Sequence, residues 1–90
     1  MEIEFTTDAL KDLEYWKQSG DKKSMKKITQ LLSAILIDYK KGIGQPEQLK
    51  KNLTGYWSRR IDRKNRLVYY VYEEQQIITI MSLRGHYLDK

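Results

Sequence analysis

Glu47 stands in a field of basic residues, and the one histidine, His86, lies near the C-terminal end of the sequence. Between Lys40 and Arg66 nine Lys or Arg face two acids, Glu47 and Asp62, a local net charge of +7. The 90-residue chain as a whole carries +5, so the remaining residues sum to −2. Basicity is therefore concentrated and not spread as a solubility coat. A carboxylate and an imidazole can each move a proton, and guanidinium and ammonium groups can neutralise a phosphate. We expect these two parts of the chain to meet in space and act on an RNA phosphate.

Composition narrows the alternatives. The chain has no cysteine, which excludes disulfides, thiolate chemistry and Cys-ligated zinc. One histidine cannot build a His-rich metal site, so no metal and no cofactor are expected. Ninety residues make one domain, 1–90, and 40% hydrophobic content with seven Tyr and two Trp suffices for a packed core. No N-terminal apolar run resembles a signal peptide, and no segment reaches the roughly 18–20 apolar residues that span a bilayer. A cytoplasmic location without membrane contact follows as an expectation. A pI near 9.4 favours an anionic partner, which charge alone leaves open among nucleic acid, acidic protein and membrane surface.

The elements that must position these residues follow from periodicity. Glu2–Phe5 alternates polar and apolar, as a half-buried strand does. Thr6 and Thr7 offer a cap for a first helix, with Ala9, Leu10, Leu13 and Trp16 at helical spacing and Ser19-Gly20 as its stop. Asp21 and Ser24 can cap a second helix, whose apolar positions are Met25, Ile28, Leu31, Leu32, Ile35, Leu36 and Tyr39. Lys40, Lys41 and Gly42 are expected to close it. Lys22, Lys23, Lys26 and Lys27 read as a solvated face. Glu47 to Leu53 suits one short helical turn after the loop that holds the sole proline, Pro46. Three strands are predicted at Tyr56–Ile61, Arg66–Tyr72 and Ile77–Leu83, joined by four-residue connections suited to antiparallel hairpins. The expected fold is α+β: β-α-α-β-β-β, two helices packed on one face of a small, mostly antiparallel sheet.

Alternation along a strand assigns faces. With Ile61 toward the helices, Ser58 and Arg60 point to the open face, where Arg66, Val68 and Tyr70 join them opposite a core set of Leu67, Tyr69 and Val71. Arg59 takes the other parity with Trp57, and we expect it to snorkel at the sheet edge. Arg60 is for that reason the stronger functional candidate. Arginines and tyrosines on an open sheet face suit single-stranded RNA, because guanidinium groups neutralise phosphates while rings stack on bases. Basic patches also dock acidic proteins.

The run PEQLKKNLTGYWSRRIDRKNRLVYYV, Pro46 to Val71, with the His86-Tyr87 pair and the early Tyr15-Trp16 pair, resembles the YoeB/Txe branch of the RelE/ParE toxin superfamily. The resemblance covers essentially the whole chain. It implies a RelE/YoeB-like microbial RNase fold and the toxin of a bacterial type II toxin–antitoxin system. The implied activity is that of a metal-independent, ribosome-dependent mRNA endoribonuclease (mRNA interferase) that inhibits translation. The family's glutamate in the PExLK segment falls on Glu47, its following basic residue on Lys50, with Lys51 beside it. The arginine opening RLVY falls on Arg66, the second arginine of SRRI on Arg60, with Arg59 before it, and the terminal pair on His86 and Tyr87. Two departures are Gly85, where a bulkier residue is usual, and the extra Leu88, Asp89 and Lys90 after the pair.

On that pattern Glu47 is the general base at the ribose 2′-hydroxyl and His86 the general acid at the 5′-oxygen, each role worth about 10²–10⁴-fold. Arg66, with Arg60 and Lys50, would stabilise charge on the phosphoryl oxygens. Tyr87 would orient the phosphate or stack on a base. Taken alone, His86 reads as a tail residue without a role, and Glu47 as a loop carboxylate paired with Lys50. The implied partners are an acidic, partly disordered antitoxin of the YefM/Axe kind and the 70S ribosome with messenger in its A site; a homodimer stays open. Two other classes also remain: a ParE-like, non-catalytic inhibitor of DNA gyrase, and a basic nucleic-acid-binding module.

Overall fold

A computed structural model of the chain describes residues 1–85; the expectations placed on His86 and Tyr87 lie outside the described residues. The elements are β1 (Glu2–Phe5), α1 (Thr7–Ser19), α2 (Lys22–Ile37), β2 (Glu47–Gln48), a 3-10 turn (Lys51–Leu53), β3 (Tyr56–Arg60), β4 (Arg66–Tyr72) and β5 (Ile77–Ser82). They form an α+β fold around one five-stranded sheet, in the order β1-β5-β4-β3-β2. β1 lies parallel to β5, and the other three pairs are antiparallel.

Local signals set the helices. Thr6 caps α1 by accepting from the Ala9 amide, and Asp21 caps α2 by accepting from the Ser24 amide and hydroxyl. Those donated bonds hold the Asp21 carboxyl below the usual carboxylate value. Gly20, in the left-handed region, ends α1. Both helices pack on the same side of the sheet. Ala9 and Trp16 of α1 and Ile28, Leu31 and Ile35 of α2 meet Leu67 and Tyr69 of β4 and Ile78 and Ile80 of β5, with Ile61 and Leu83 beside them. Leu10 and Leu36, expected inward, are about half exposed.

The structure corrects two expectations here. The second helix stops at Ile37, ahead of Lys40-Lys41-Gly42. Its physical cause is tertiary: the carbonyls of Asp38, Tyr39, Lys41 and Ile43 all accept hydrogen bonds from buried side chains of β3 and β4, which pulls this stretch out of the helical path. The predicted helical turn from Glu47 begins instead as a strand. Glu47 pairs with Ser58 and Gln48 with Trp57, the Leu49 amide donates to Tyr56, and the Arg60 amide donates to the Gly44 carbonyl. Pairing to the otherwise open edge of β3 outweighs the weak local preference, and only Lys51–Leu53 remains helical.

Gly44 is the pivot of that pairing. Its φ is +85°, and a Cβ there would stand 2.6 Å from Leu31 Cδ2. Gly44→Ala is expected to cost about 1–3 kcal/mol, read as a lower urea midpoint at unchanged m-value.

The β3–β4 turn carries a second dependence. Asp62 accepts from the amides of Lys64 and Asn65 and from the Asn65 side chain. Burial pushes its carboxyl up, but these bonds outweigh burial and hold it below the usual value. A depressed folded pKa contributes stability above the unfolded value of about 3.9 and loses it as pH falls through the folded value. Asp62→Asn should therefore destabilise by about 0.5–1 kcal/mol at pH 7, with the difference from the parent shrinking as urea melts are taken down toward about pH 2.

Candidate catalytic and phosphate-binding site

The face of the sheet away from the helices gathers side chains from β2, β3 and β4 because the strand registers align them; Ser58 and Val68 are buried there, Arg66 and Tyr70 half-buried, and Arg60 exposed. Arg60 lies opposite Arg66, and Ser58 lies between Glu47 on one side and Val68 on the other. Alternation puts Ser58, Arg60, Arg66, Val68 and Tyr70 on the face turned away from the helices, as their parity predicts. Arg66 is the centre of the group. Its Nη1 stands 3.8 Å from Glu47 Oε1 and 3.5 Å from Ser58 Oγ. The Arg66 side chain is only 13% exposed, whereas Glu47 is 54% exposed on its two-residue edge strand. A shielded cation thus faces a carboxylate that solvent can reach.

Lys50 and Lys51 follow Glu47 into an open cleft of about 330 Å³, formed by the chain from Glu47 to Leu53. Both lysines are exposed, and Lys51 has φ +61°, a left-handed conformation that turns the backbone from β2 into the 3-10 turn. Arg60 is exposed at the end of β3. The +7 segment is therefore divided. Arg60, Arg66, Lys50 and Lys51 flank Glu47, while Lys40 and Lys41 follow the end of α2, the Lys40 ammonium lying 5.5 Å from the Tyr39 ring centre.

Arg59 requires a correction. In place of snorkelling at the edge it is wholly buried on the helix side. Its Nε donates to the Tyr69 hydroxyl, Nη1 to the Ile43 carbonyl, and Nη2 to the carbonyls of Asp38 and Lys41, at 2.8–3.1 Å. Four of its five donors are committed inside the fold. A guanidinium in that state has no surface to offer a phosphate, so Arg59 is a structural residue. Tyr69 passes the link on by donating to the Tyr39 carbonyl. Burial pushes the Tyr69 phenol up, and the Arg59 charge and hydrogen bond oppose the rise. Tyr39 in turn bonds the Glu73 carboxylate, which pushes its phenol up to about 12.

The described C-terminal segment runs to this same place. Leu83 is held through both backbone groups: its amide donates to Asp12 and its carbonyl accepts from Trp16 Nε1. Arg84 lies 3.6 Å above the Tyr15 ring. The Gly85 amide donates to Asn65 Oδ1, and the Gly85 carbonyl accepts from the Arg66 amide. Asn65 was not singled out from the sequence. Its only local signal is an Asx-type turn with Asp62, and nothing in that turn announces a partner twenty residues away.

Two helices on one side of an open sheet, with a buried-stem arginine facing an exposed carboxylate on the other, define the class: a small α+β toxin domain of the superfamily that the motifs resemble. The family model for the YoeB-like toxin of bacterial type II toxin–antitoxin systems matches residues 5–87. Toxin YoeB of Synechocystis is 47% identical, with 97% of this chain and 98% of that protein covered. Toxin YoeB of Streptomyces coelicolor is 45% identical over 97% of this chain and all of that protein. Among solved structures, the YoeB/ParE toxin from Agrobacterium tumefaciens superimposes with a TM-score of 0.89 at 36% identity, covering 97% of this chain and 100% of that one. A heterotetrameric YoeB–YefM toxin–antitoxin complex from Staphylococcus aureus gives 0.83 at 46% identity, covering 97% and 98%. The chain belongs to the YoeB family, toxins of bacterial type II toxin–antitoxin systems.

The two adjacent arginines of β3 should separate cleanly in experiment. Arg59→Met removes the donor from one buried and three part-buried acceptors and is expected to cost about 3–5 kcal/mol or to prevent folding, with Arg59→Lys intermediate. Arg60→Ala should leave urea stability within about 0.5 kcal/mol. Equal stabilities for the Arg59 and Arg60 variants would remove the structural role assigned to Arg59.

Proposed function

We propose that the chain is a ribosome-dependent mRNA endoribonuclease working without a metal. The observation that carries this reading is the Arg66 guanidinium, held between Glu47 and Ser58 on the face away from the helices and flanked by Arg60. In the reaction the ribose 2′-oxygen attacks the adjacent phosphorus, the 2′-O–P bond forms and the P–O5′ bond breaks, leaving a 2′,3′-cyclic phosphate and a 5′-hydroxyl. Glu47 takes the 2′ proton. His86 gives a proton to the departing 5′-oxygen. Arg66 carries the charge that builds on the non-bridging oxygens, and its shielding from water makes that interaction stronger than it is for a solvated cation.

Arg60, Lys50 and Lys51 serve as phosphate anchors along the strand, and Tyr87 orients the phosphate or stacks on a base. Arg59 has no part in this set. Support for bringing His86 to the reaction comes from Gly85, whose two backbone bonds to Asn65 and Arg66 tie the preceding residue to the phosphate clamp. The site is shallow and open, so positioning must come from elsewhere, and the ribosomal A site supplies it. A YefM-like antitoxin, acidic against this basic face, is the proposed inhibitor and partner in the bacterial cytoplasm. Self-association is proposed as well, as a YoeB dimer is known from Staphylococcus aureus.

Toeprinting on programmed ribosomes tests the mechanism. The parent is expected to cut messenger in the A site, and Glu47→Ala, Arg66→Ala and His86→Gln each to lose about 10²-fold or more in rate. Arg60→Ala should weaken binding with a smaller change in rate. Four equally active proteins would refute the assigned roles, and a parent that spares messenger but inhibits gyrase would favour the non-catalytic class.

A further inference from the structure

The face of the sheet away from the helices carries a second feature that neither the fold nor the proposed chemistry uses. Tyr56 and Tyr70 are register partners on β3 and β4, their rings 4.8 Å apart and nearly perpendicular. Tyr72, two residues further along β4, has its ring 4.7 Å from that of Tyr70. Alternation along β4 places Arg66, Val68, Tyr70 and Tyr72 in one file on this face, stepping about 6.8 Å per pair of residues. Gly55 closes against Tyr70 so tightly that a Cβ there would lie 2.6 Å from its ring, at a φ of +97°. The inner ring is thereby fixed in place, whereas Tyr72 is 45% exposed. The result is a pre-ordered aromatic step whose outer ring is open to solvent.

We propose that this step, with Tyr72 as its outer ring, is a stacking subsite for an unpaired RNA base a few nucleotides from the phosphate held by Arg66. The proposal rests on the reading of the face as RNA-binding. The charge distribution selects the occupant and its path. The file begins at the Arg60–Arg66 pair, which neutralises a backbone entering from that end. On the far edge the register brings Glu4 beside Thr79, the partner of Tyr70, and Glu2 beside Ile77, the partner of Tyr72. Those carboxylates repel a polyanion from β1 and confine it to β3 and β4. The nearest acid in sequence, Glu73, has the opposite parity and is bonded to Tyr39, which packs on the helix side. A base that stacks on the outermost ring needs no hydrogen-bond readout, since every base has a π-face.

The test uses the full-length chain carrying Glu47→Gln, so that RNA survives, and a fluorescein-labelled single-stranded hexanucleotide read by anisotropy at low salt. Tyr72→Ala in this background is expected to weaken binding by roughly 5–150-fold, the span of one aromatic–base stack, and Tyr72→Phe to stay within about twofold. Replacing single nucleotides by abasic ones should reveal one position whose loss matches that of Tyr72→Ala, with no further loss when the two are combined. Binding by Tyr72→Ala as tight as the parent's overturns the subsite, as does equal affinity of the parent for intact and fully abasic strands. Failure of the parent to bind RNA, or tight binding of an acidic peptide in its place, overturns it too. If Tyr72→Ala melts without cooperativity, Tyr72→Phe and the abasic series on the parent decide the matter. Because the assay reads binding, it separates from the endonuclease reading: a chain that stacks RNA but never cuts messenger retains the subsite and loses the reaction.

Discussion

A single buried guanidinium fixes the relation between the helical layer and the edge of the sheet that bears Glu47. Taking Arg59 out of water costs several kcal/mol, and an arginine cannot escape that cost by losing its proton. The fold compensates by wrapping the segment after α2 around it, with carbonyls of Asp38, Lys41 and Ile43 and the Tyr69 hydroxyl as acceptors. One of those acceptors, the Asp38 carbonyl, is at the C-cap of α2, where the helix dipole is negative and a cation is favoured. The segment has little freedom once wrapped. A Cβ at Gly42 would come within 3.0 Å of Arg59 Nη1, and Gly44 hands the chain directly to the β3 edge through its bond to the Arg60 amide. Three residues later stands Glu47. Its place beside Ser58 is thus a consequence of how Arg59 is satisfied.

Neighbouring arginines with opposite fates illustrate what a sequence can and cannot disclose. Period-two alternation was enough to send Arg60 outward beside Arg66 and to place Ser58 and Val68 on the same face. The same rule put Arg59 on the core side, but hydropathy opposed its burial, and the compromise of a snorkelling side chain was wrong. Nothing local to β3 signals three carbonyl acceptors contributed by residues sixteen to twenty-one positions earlier. The helices and the three long strands were legible because each is set by its own caps and apolar spacing. β2 was not, because a two-residue strand has no period and exists only through its partner. The end of α2 was missed for the same kind of reason: Lys40, Lys41 and Gly42 are good stop signals, but carbonyls of the residues just after Ile37 accept from Arg59 and Tyr69. Family motifs pointed to Glu47 and Arg66 separately, with Lys50 as the expected partner of Glu47, whereas the Glu47–Arg66 contact and the hold of Asn65 on Gly85 emerge only in three dimensions.

The site has contributions from parts of the chain far apart in sequence, and each arrives on a different kind of tether. Arg66 begins a central strand and has neighbours on both sides, so its stem is shielded. Glu47 sits on a short edge strand. The C-terminal segment is fastened three times on its way in, at Asp12 and Trp16 through Leu83, at Tyr15 through Arg84, and at Asn65 and Arg66 through Gly85. Rigidity therefore grades from the cation outward. Electrostatic stabilisation needs its charges fixed before reaction, whereas a proton acceptor need only reach its atom when substrate is present.

That gradation bears on how, in the proposed mechanism, a carboxylate beside a guanidinium would act as a base at all. In the free protein the Glu47–Arg66 contact is long, 3.8 Å, and the carboxylate is more than half exposed, so water competes effectively for Glu47. Pairs of this kind contribute about 0–1 kcal/mol. A phosphate offers the guanidinium two oxygens in a geometry suited to bidentate binding, with a charge-assisted strength that a distant carboxylate cannot match. Entry of the scissile phosphate would then shift Arg66 from Glu47 to the substrate at little cost. In the proposed mechanism the released carboxylate would then lie next to the bound phosphodiester, within range of the adjoining ribose. A tight, buried ion pair at the same positions would resist that exchange and leave the base engaged. Under the proposed mechanism, the looseness of the contact is what would let it come apart when substrate arrives.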